Sequence, residues 1–386
     1  MPVSEVEFQR SFCAEHLDEA EYLLQQRASL VERSFADRPH LQANDLRLLA
    51  HMQGLLLRAD EAWAMLREAL RRRPCGSLLQ LGAWLALSRQ DPSGVEDACA
   101  IVGAPLASRL APAELVRWLP NEAHDWLLAQ PVDAGQPEMI ALQAQARAGQ
   151  NAFLDWLTAL PLESLLSGPH GEWLEVQLAQ ALIVSDQLPS RDRVRGLQAI
   201  ECLSWACLVA LMRHGCATPA AHERAWTIPP SHALAEPVLV AAASASRPEI
   251  SLPRITNLFA GLRRREALWC SAASGAAGVL PHLLRHLRGP EAELARLGLF
   301  ALLGVPEHLA NESDPQVDST IEDRAKALAA DPGLQLRLLD GKARTDDVIV
   351  DAMKQGFQFQ RILAWRVAPP AVRLRAYDPW RPTFTA

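Results

Sequence analysis

The feature that most constrains the fold of this chain is a series of short helical segments, each ended by glycine or proline. In the stretch 264–305, apolar side chains recur every three or four residues, and the pattern is interrupted at Gly275, Gly289 and Gly304. This spacing predicts three consecutive amphipathic helices joined by tight turns. Such short helices cannot bury their apolar faces alone, so neighbouring helices must cover them.

The same unit recurs along the chain and predicts an all-α fold. Residues 137–160 repeat the arrangement, with a helix rich in small residues followed by an amphipathic one. Repeated pairs favour a HEAT-like α-solenoid of antiparallel helix pairs that stack with a right-handed twist. The proline-rich part after Gly215 is the least regular, and the sequence leaves open whether the array bends near Pro229. The predicted divisions are an N-terminal helical segment (1–76), HEAT-like helical repeats (77–305), and C-terminal helices with an extended tail (306–386).

Helix bounds follow from the same signals. The second and third helices are predicted to begin at the polar N-cap residues Asn44 and Asp60. The helices predicted at the two ends of the chain are 5–34, 44–57, 60–72, 319–330, 332–340 and 345–355.

Composition excludes several classes of protein. An apolar fraction of 49% with 22% charged residues predicts a well-buried core and argues against disorder. No apolar run approaches the roughly 18 to 20 residues of a membrane span, and the N-terminus lacks the pattern of a secretory signal. The seven cysteines are odd in number and follow no repeated spacing, which favours reduced thiols. We therefore expect a cytoplasmic protein without a membrane partner.

Charge is distributed unevenly along the chain. The segment 254–288 contains six arginines and one glutamate, a net charge of +5, whereas 307–351 contains eleven acidic and five basic residues, a net charge of −6. A basic segment next to an acidic one is a suitable surface for a charged protein partner. Solvated outer faces of helices account for the same pattern.

Two groups of residues have the composition of a metal site but the wrong arrangement. His282 and His286 have the i, i+4 spacing of zinc-binding helices, but residue 283 is leucine where such helices carry a general-base glutamate, and no third ligand follows. Cys202 and Cys207 lie about 140° apart around one helix, so they cannot bind one tetrahedral ion together with His214 and Cys216. Buried thiols are the better interpretation.

Other motifs also lack the context that catalysis requires. Asp331 and the run from Asp340 to Lys342 weakly match restriction-type nucleases, but we expect them in a helix-ending turn and not on strands. The glycine-rich run 275–278 has no preceding strand and no following lysine, so it predicts a helix-pair turn. Residues 263–265 are three arginines without the interleaved aromatic residues of a nucleic-acid surface. The sequence therefore predicts no catalytic residue, no cofactor and no metal.

The first 70 residues carry a resemblance to a known family. They are similar to the opening of a proteobacterial family of HEAT-like proteins and depart from its pattern at Asp18, where the family has glutamate. The resemblance implies a structural role for two histidines, which would bridge the first helices. The matching positions are His16, Glu19, Ala20, Tyr22, Leu23, Arg27, Asp45, Leu46, Ala50, His51, Gly54 and Leu55.

This resemblance implies a function. The segment is most similar to family members that serve as immunity proteins against nuclease effectors of the type VI secretion system. It implies a cytoplasmic antitoxin that binds a cognate nuclease effector with a restriction-endonuclease-like domain, as a monomer or weak homo-oligomer when free. Because a DNA-cutting domain has a positive cleft, acidic residues are the expected contacts. They are Glu307, Glu312, Asp314, Asp318, Glu322, Asp323, Asp346 and Asp347.

Two other functions stay open at this point. One is an adaptor or chaperone that loads a secreted effector onto its apparatus instead of inhibiting it. The other is a DNA-binding helical-repeat protein that uses the basic segment 254–288, in which case binding to duplex DNA would weaken as salt rises.

Overall fold

The computed structural model describes most of the chain, and nearly all of the described part is helical. This confirms the prediction of an all-α protein. No described helix combines the length and hydrophobicity that a bilayer span requires. The described residues are 5–32, 38–107, 110–133, 135–148, 150, 152–185, 203–261, 263–305, 317, 319–330 and 337–373.

The helices divide between two compact units. Among the described residues, the N-terminal unit comprises 5–31 and 39–184, and the C-terminal unit comprises 32, 38, 185 and 203–373. The predicted divisions at residues 76 and 305 stay predictions.

The N-terminal unit contains twelve helices among its described residues, α1 to α12. They are Glu5–Glu32, Arg38–Leu57, Ala59–Arg72, Gly76–Ser88, Pro92–Val102, Ala104–Ala107, Pro112–Trp118, Asn121–Ala129, Pro137–Arg147, Phe153–Ala159, Leu162–Leu166 and Gly171–Val184.

The described part of the C-terminal unit contains helices α13 to α23, a 3₁₀ turn at Ala277–Val279, and the strands β1 (Leu338–Leu339) and β2 (Lys342–Ala343). The helices are Ser204–Arg213, Pro219–Ala225, Ala235–Ala245, Pro248–Ala260, Arg264–Ser274, Leu280–Arg285, Ala292–Leu303, Ser319–Ala329, Asp346–Gln355, Gln358–Val367 and Pro370–Arg373.

Apolar packing explains the core of each unit. In the N-terminal unit a continuous cluster of buried side chains extends from Cys13 on α1 to Ala146 on α9 and includes the fully buried Trp84. The indole of Trp84 donates a hydrogen bond to the Trp118 carbonyl at 2.9 Å, so its polar atom is satisfied. In the C-terminal unit α13, α15, α17 and α19 pack in succession, and α22 packs against the last three of them.

The second helix begins earlier than predicted. It starts at Arg38 and not near Asn44. Pro39 is compatible with this start because the first helical turn needs no hydrogen bond from its backbone nitrogens. Asn44 is not a cap: it is buried, and its Nδ2 donates to the Leu23 carbonyl of α1 at 3.2 Å. The third helix begins at Ala59, with Asp60 in its first turn and Arg58 as the cap residue.

The predicted helix 332–340 is wrong over its described part. Leu338 and Leu339 pair antiparallel with Ala343 and Lys342. The two residues between the strands, Asp340 and Gly341, have φ values of 53° and 69°. An Asp-Gly pair is well suited to this left-handed two-residue turn, so local turn chemistry determines the structure here.

Candidate functional site

The predicted acidic contact residues fall into three groups. Glu307, Glu312, Asp314 and Asp318 lie outside the described residues. The remaining four lie on two helices, α20 and α21.

On α20, Glu322 and Asp323 are not a purely negative surface. Lys326 lies 3.3 Å from the Glu322 carboxylate and 3.5 Å from that of Asp323. The lysine therefore offsets much of their charge before any partner binds.

On α21, Asp346 and Asp347 are both exposed in the first helical turn. Thr345 caps this helix through a hydrogen bond that its Oγ1 accepts from the Val348 nitrogen at 3.4 Å. The positive end of the helix dipole favours carboxylates at this position. Helix stability alone therefore accounts for these two residues, and a partner contact is not required to explain them.

Residues that carry the family resemblance meet between α1 and α2. His16 Nδ1 and His51 Nδ1 are 2.9 Å apart, so one ring donates a hydrogen bond to the other. Gly54 lies against this pair: an added Cβ would be 2.6 Å from His16 Nε2. Burial lowers the pKa of His16, and the charge of His51 lowers it further. The predicted contact between the first helices through these histidines is confirmed.

A second contact of the resembling residues is ionic. The buried Arg27 donates from Nε to the buried Asp45 carboxylate at 2.9 Å and from Nη1 to Glu114 on α7 at 2.9 Å. Its guanidinium also lies 5.4 Å from the ring centre of Trp118. This pairing provides the buried charges with partners and links α1 to both α2 and α7.

The outward sides of α1 and α2 carry large apolar side chains. Phe8 and Tyr22 on α1 are 63% and 56% exposed, and Leu46 and Leu57 on α2 are 49% and 75% exposed. Tyr22 and Leu46 are also positions of the family resemblance, and burial does not explain them. We refer to these four side chains as the α1–α2 outer face.

The histidines of the predicted zinc-like spacing have a packing role. Phe259 stacks with both rings, at centroid distances of 5.0 Å from His282 and 4.9 Å from His286. His282 Nε2 also lies 3.3 Å from the Thr256 hydroxyl. Among the described residues no group of three or more His, Cys, Asp or Glu side chains is arranged to hold a metal ion.

The cysteine group is not assembled as a site in its described part. Cys202 lies outside that part, Cys207 is buried, and Cys216 is exposed. Burial, together with the nearby charges of Arg373 and Arg213, lowers the pKa of His214 to about 4.

The glycine-rich run and the Asp340–Lys342 motif both lie at turns. Gly275 has a φ of 69° and ends α17, so the run 275–278 forms the predicted turn between helices. Asp340 to Lys342 form the hairpin turn described above, which corrects their expected place in a helix end, and Asp331 lies outside the described residues.

Half of the six arginines in the basic segment already have carboxylate partners. Arg254 pairs with Glu223, Arg263 with Glu266 and Arg265 with Glu236. These intramolecular pairs lower the charge available to a DNA backbone. The arrangement therefore weakens the DNA-binding alternative.

Sequence reasoning missed an arginine-lined cleft of about 500 Å³ in the C-terminal unit. We refer to it as the arginine cleft. Its charged and ionisable lining side chains are Arg213, His222, Arg337, Arg344, Asp346 and Arg366.

The hairpin places two of these arginines side by side. Its register puts Arg337 opposite Arg344, and the Arg344 nitrogen donates to the Arg337 carbonyl at 2.8 Å. A signal for this pair was present in the sequence, because arginines stand symmetrically about the Asp340-Gly341 turn. The other arginines come from α13 and α22, and no local pattern links them to the hairpin.

No family model, no curated protein and no solved structure matches this chain.

Proposed function

We propose that this chain is a non-enzymatic immunity protein that binds a cognate nuclease effector of the type VI secretion system and inhibits it. The observation that carries the proposal is the connected set of contacts between α1 and α2. The resembling residues His16, His51 and Gly54 pack together, and Arg27 binds Asp45 on the same pair of helices. Residues spread between His16 and Gly54 thus form one structural unit, as expected of a family fold.

Helix packing in each unit supports a HEAT-like solenoid. In the N-terminal unit α4, α7, α9 and α12 contact one another in sequence, and in the C-terminal unit α13, α15, α17 and α19 do the same. Rows of helices that skip their neighbours along the chain are expected where antiparallel pairs stack, because one helix of each pair forms an inner layer. Such arrays commonly bind other proteins along an extended surface.

Within this proposal the α1–α2 outer face is the better contact surface. Exposed aromatic and aliphatic side chains are typical of protein interfaces. The acidic residues of α20 and α21 are the second candidate, because carboxylates can occupy a positive nuclease cleft as DNA phosphates would. Lys326 weakens that candidate at Glu322 and Asp323.

Inhibition would be steric in either case. The protein would cover the active site of the nuclease or hold the nuclease in an assembly that cannot cut DNA. Neither mechanism requires a catalytic residue or a cofactor on this chain.

Co-expression with a candidate nuclease effector from the same genome tests the proposal. Survival of the host together with a complex that co-purifies would support immunity by direct binding. Toxicity that this chain does not relieve, with no complex, would overturn it. If cells without this chain survive but fail to secrete the effector, the adaptor function replaces immunity.

Variants of the two candidate surfaces then identify the contact. We expect Tyr22→Ser with Leu46→Ser to lower affinity at least tenfold, because apolar interface centres carry most of the binding energy. Charge reversal of Asp346 and Asp347 to lysine is the matched comparison. If this reversal abolishes protection and the serine variant does not, the acidic surface is the contact.

A further inference from the structure

The arginine cleft contains two guanidinium groups without a carboxylate partner among the described residues. Arg337 donates from Nη1 to the Ser244 carbonyl and from Nη2 to the Ser246 carbonyl. Arg344 donates from Nη1 to the Ala273 carbonyl. By contrast, Arg366 at the same cleft pairs with Glu236 at 2.6 Å.

Without a bound anion, this arrangement of two arginines is electrostatically unfavourable. Like charges directly opposite each other across a hairpin repel, and partial burial without a counter-ion adds a desolvation cost. Burial, followed by the charge of Arg337, lowers the pKa of Arg344 to about 9. Burial also lowers the pKa of Arg337, and the charge of Glu249 opposes that shift. At neutral pH both side chains remain positively charged, so an anion that enters the cleft would remove this cost.

The rest of the lining defines the class of anion. Met212, Ala241, Ile349 and Val367 provide an apolar wall. His222 has a Nδ1 atom that is buried without a hydrogen-bond partner, and burial lowers the pKa of this ring, so it is neutral near pH 7. Asp346 adds one acceptor at the same cleft. A ligand that matches this lining therefore carries a doubly negative anionic group. Its organic part has an apolar surface and hydroxyl groups.

We propose that the arginine cleft binds a small phosphomonoester, with the phosphate between Arg337 and Arg344 and the organic part against the apolar wall. Guanidinium groups bind phosphate oxygens through paired hydrogen bonds, and two positive charges match a phosphate dianion better than a single carboxylate. The volume of about 500 Å³ lies within the usual range of small-molecule sites. This proposal does not rest on the proposed immunity function, although Asp346 belongs both to the cleft and to the second candidate contact surface.

Calorimetry and thermal unfolding of the full-length chain test the proposal, with inorganic phosphate and adenosine 5′-monophosphate as probes. Sodium acetate and sodium chloride at equal ionic strength are the controls. We expect both phosphates to raise the unfolding temperature in a concentration-dependent way, the monophosphate at lower concentration, and acetate and chloride to have no such effect. Equal effects of all four salts would overturn the proposal.

Substitution of Arg344 separates a binding role from a structural one. We expect Arg344→Gln to weaken phosphate binding at least tenfold and, without phosphate, to leave the unfolding temperature unchanged or raised, because a like-charge contact is removed. Arg344→Lys should retain part of the binding, and Arg285→Gln, an exposed arginine on α18, should bind as the wild type does. If Arg344→Gln binds phosphate normally, the site is wrong. If this variant does not fold, Arg337→Gln is measured instead, with the same outcomes.

Discussion

The hydrogen bond between His16 and His51 requires at least one neutral ring, because two protonated imidazoles have no acceptor between them. The pKa of His16 is lowered in the folded protein by burial and by the charge of His51. The unfolded chain therefore binds more protons than the folded one below about pH 6.5, where a free histidine titrates. The contribution of this pair to stability is complete above that pH and is lost as pH falls through the folded pKa.

We expect the unfolding temperature to fall between pH 7 and pH 5, and to fall less steeply in His16→Gln. Other buried histidines, such as His214, shift in the same direction, so the difference between the two profiles isolates the pair. The measurement is thermal unfolding by circular dichroism at each pH. Parallel profiles would show that the His16–His51 contact has no part in the pH dependence.

Close packing at Gly54 gives a second prediction. A Cβ at this position would lie 2.6 Å from His16 Nε2 and 2.7 Å from Cε1, so the ring must move. We expect Gly54→Ala to lower the free energy of unfolding by about 1–3 kcal/mol, as overpacking usually does. Gly76→Ala is the control, since nothing lies within 4 Å of its added Cβ. A similar small effect of both substitutions in urea unfolding would contradict this reasoning.

At the residue level, some of the structure was predictable from the sequence. The bridging of the first helices by His16 and His51 followed from the resemblance. The packing partner of His282 and His286 did not follow from their spacing. Phe259 on α16 lies 23 residues before His282 on α18, and their rings meet only in the folded chain.

At the level of elements, α22 is held to the inner helices of the C-terminal unit by an aromatic contact. The rings of Phe359 and Trp269 stack at 4.5 Å between centroids, and the Arg366 guanidinium lies 4.3 Å from the Trp269 ring. Phe359 is buried. The position of α22 in turn places Arg366 and Val367 at the arginine cleft.

We expect Phe359→Ala to lower the free energy of unfolding by about 3–5 kcal/mol, because it leaves a cavity and removes the stacking contact. Ile250→Ala, at an exposed position on α16, should change it by no more than about 0.5 kcal/mol. Chemical denaturation of both variants measures the difference. Comparable losses would indicate that α22 is not held by this contact.

Element types were more predictable than element starts. The periodic segments at 319–330 and 345–355 correspond to Ser319–Ala329 and Asp346–Gln355 because their apolar stripes have a helical period, and Thr345 caps the second helix. The start predicted at Asn44 is wrong because a polar residue that suits a helix cap also suits a buried contact between helices. The helix predicted at 332–340 is wrong because the apolar residues around Asp340 and Gly341 also fit a helical period, whereas the Asp-Gly pair itself favours a two-residue turn.

At the scale of the whole molecule, the preferred contact surface and the arginine cleft lie in different compact units. The α1–α2 outer face belongs to the N-terminal unit, and the arginine cleft belongs to the C-terminal unit. The sequence predicted a binding protein through its repeats and its resemblance. The cleft could not be predicted, because its lining comes from two stretches, 212–245 and 337–369, that only the folded chain brings together.

This division predicts that the two activities can be removed separately. We expect Tyr22→Ser with Leu46→Ser to abolish protection against the nuclease while phosphate still raises the unfolding temperature as in the wild type. Arg344→Gln should have the converse effect, with loss of the phosphate response and normal protection. Both variants would be tested for host survival and for thermal unfolding with and without phosphate, and Arg285→Gln would serve as the control in both assays. If Arg344→Gln loses protection as well, phosphate binding and inhibition of the nuclease depend on each other, and the independence of the two sites is wrong.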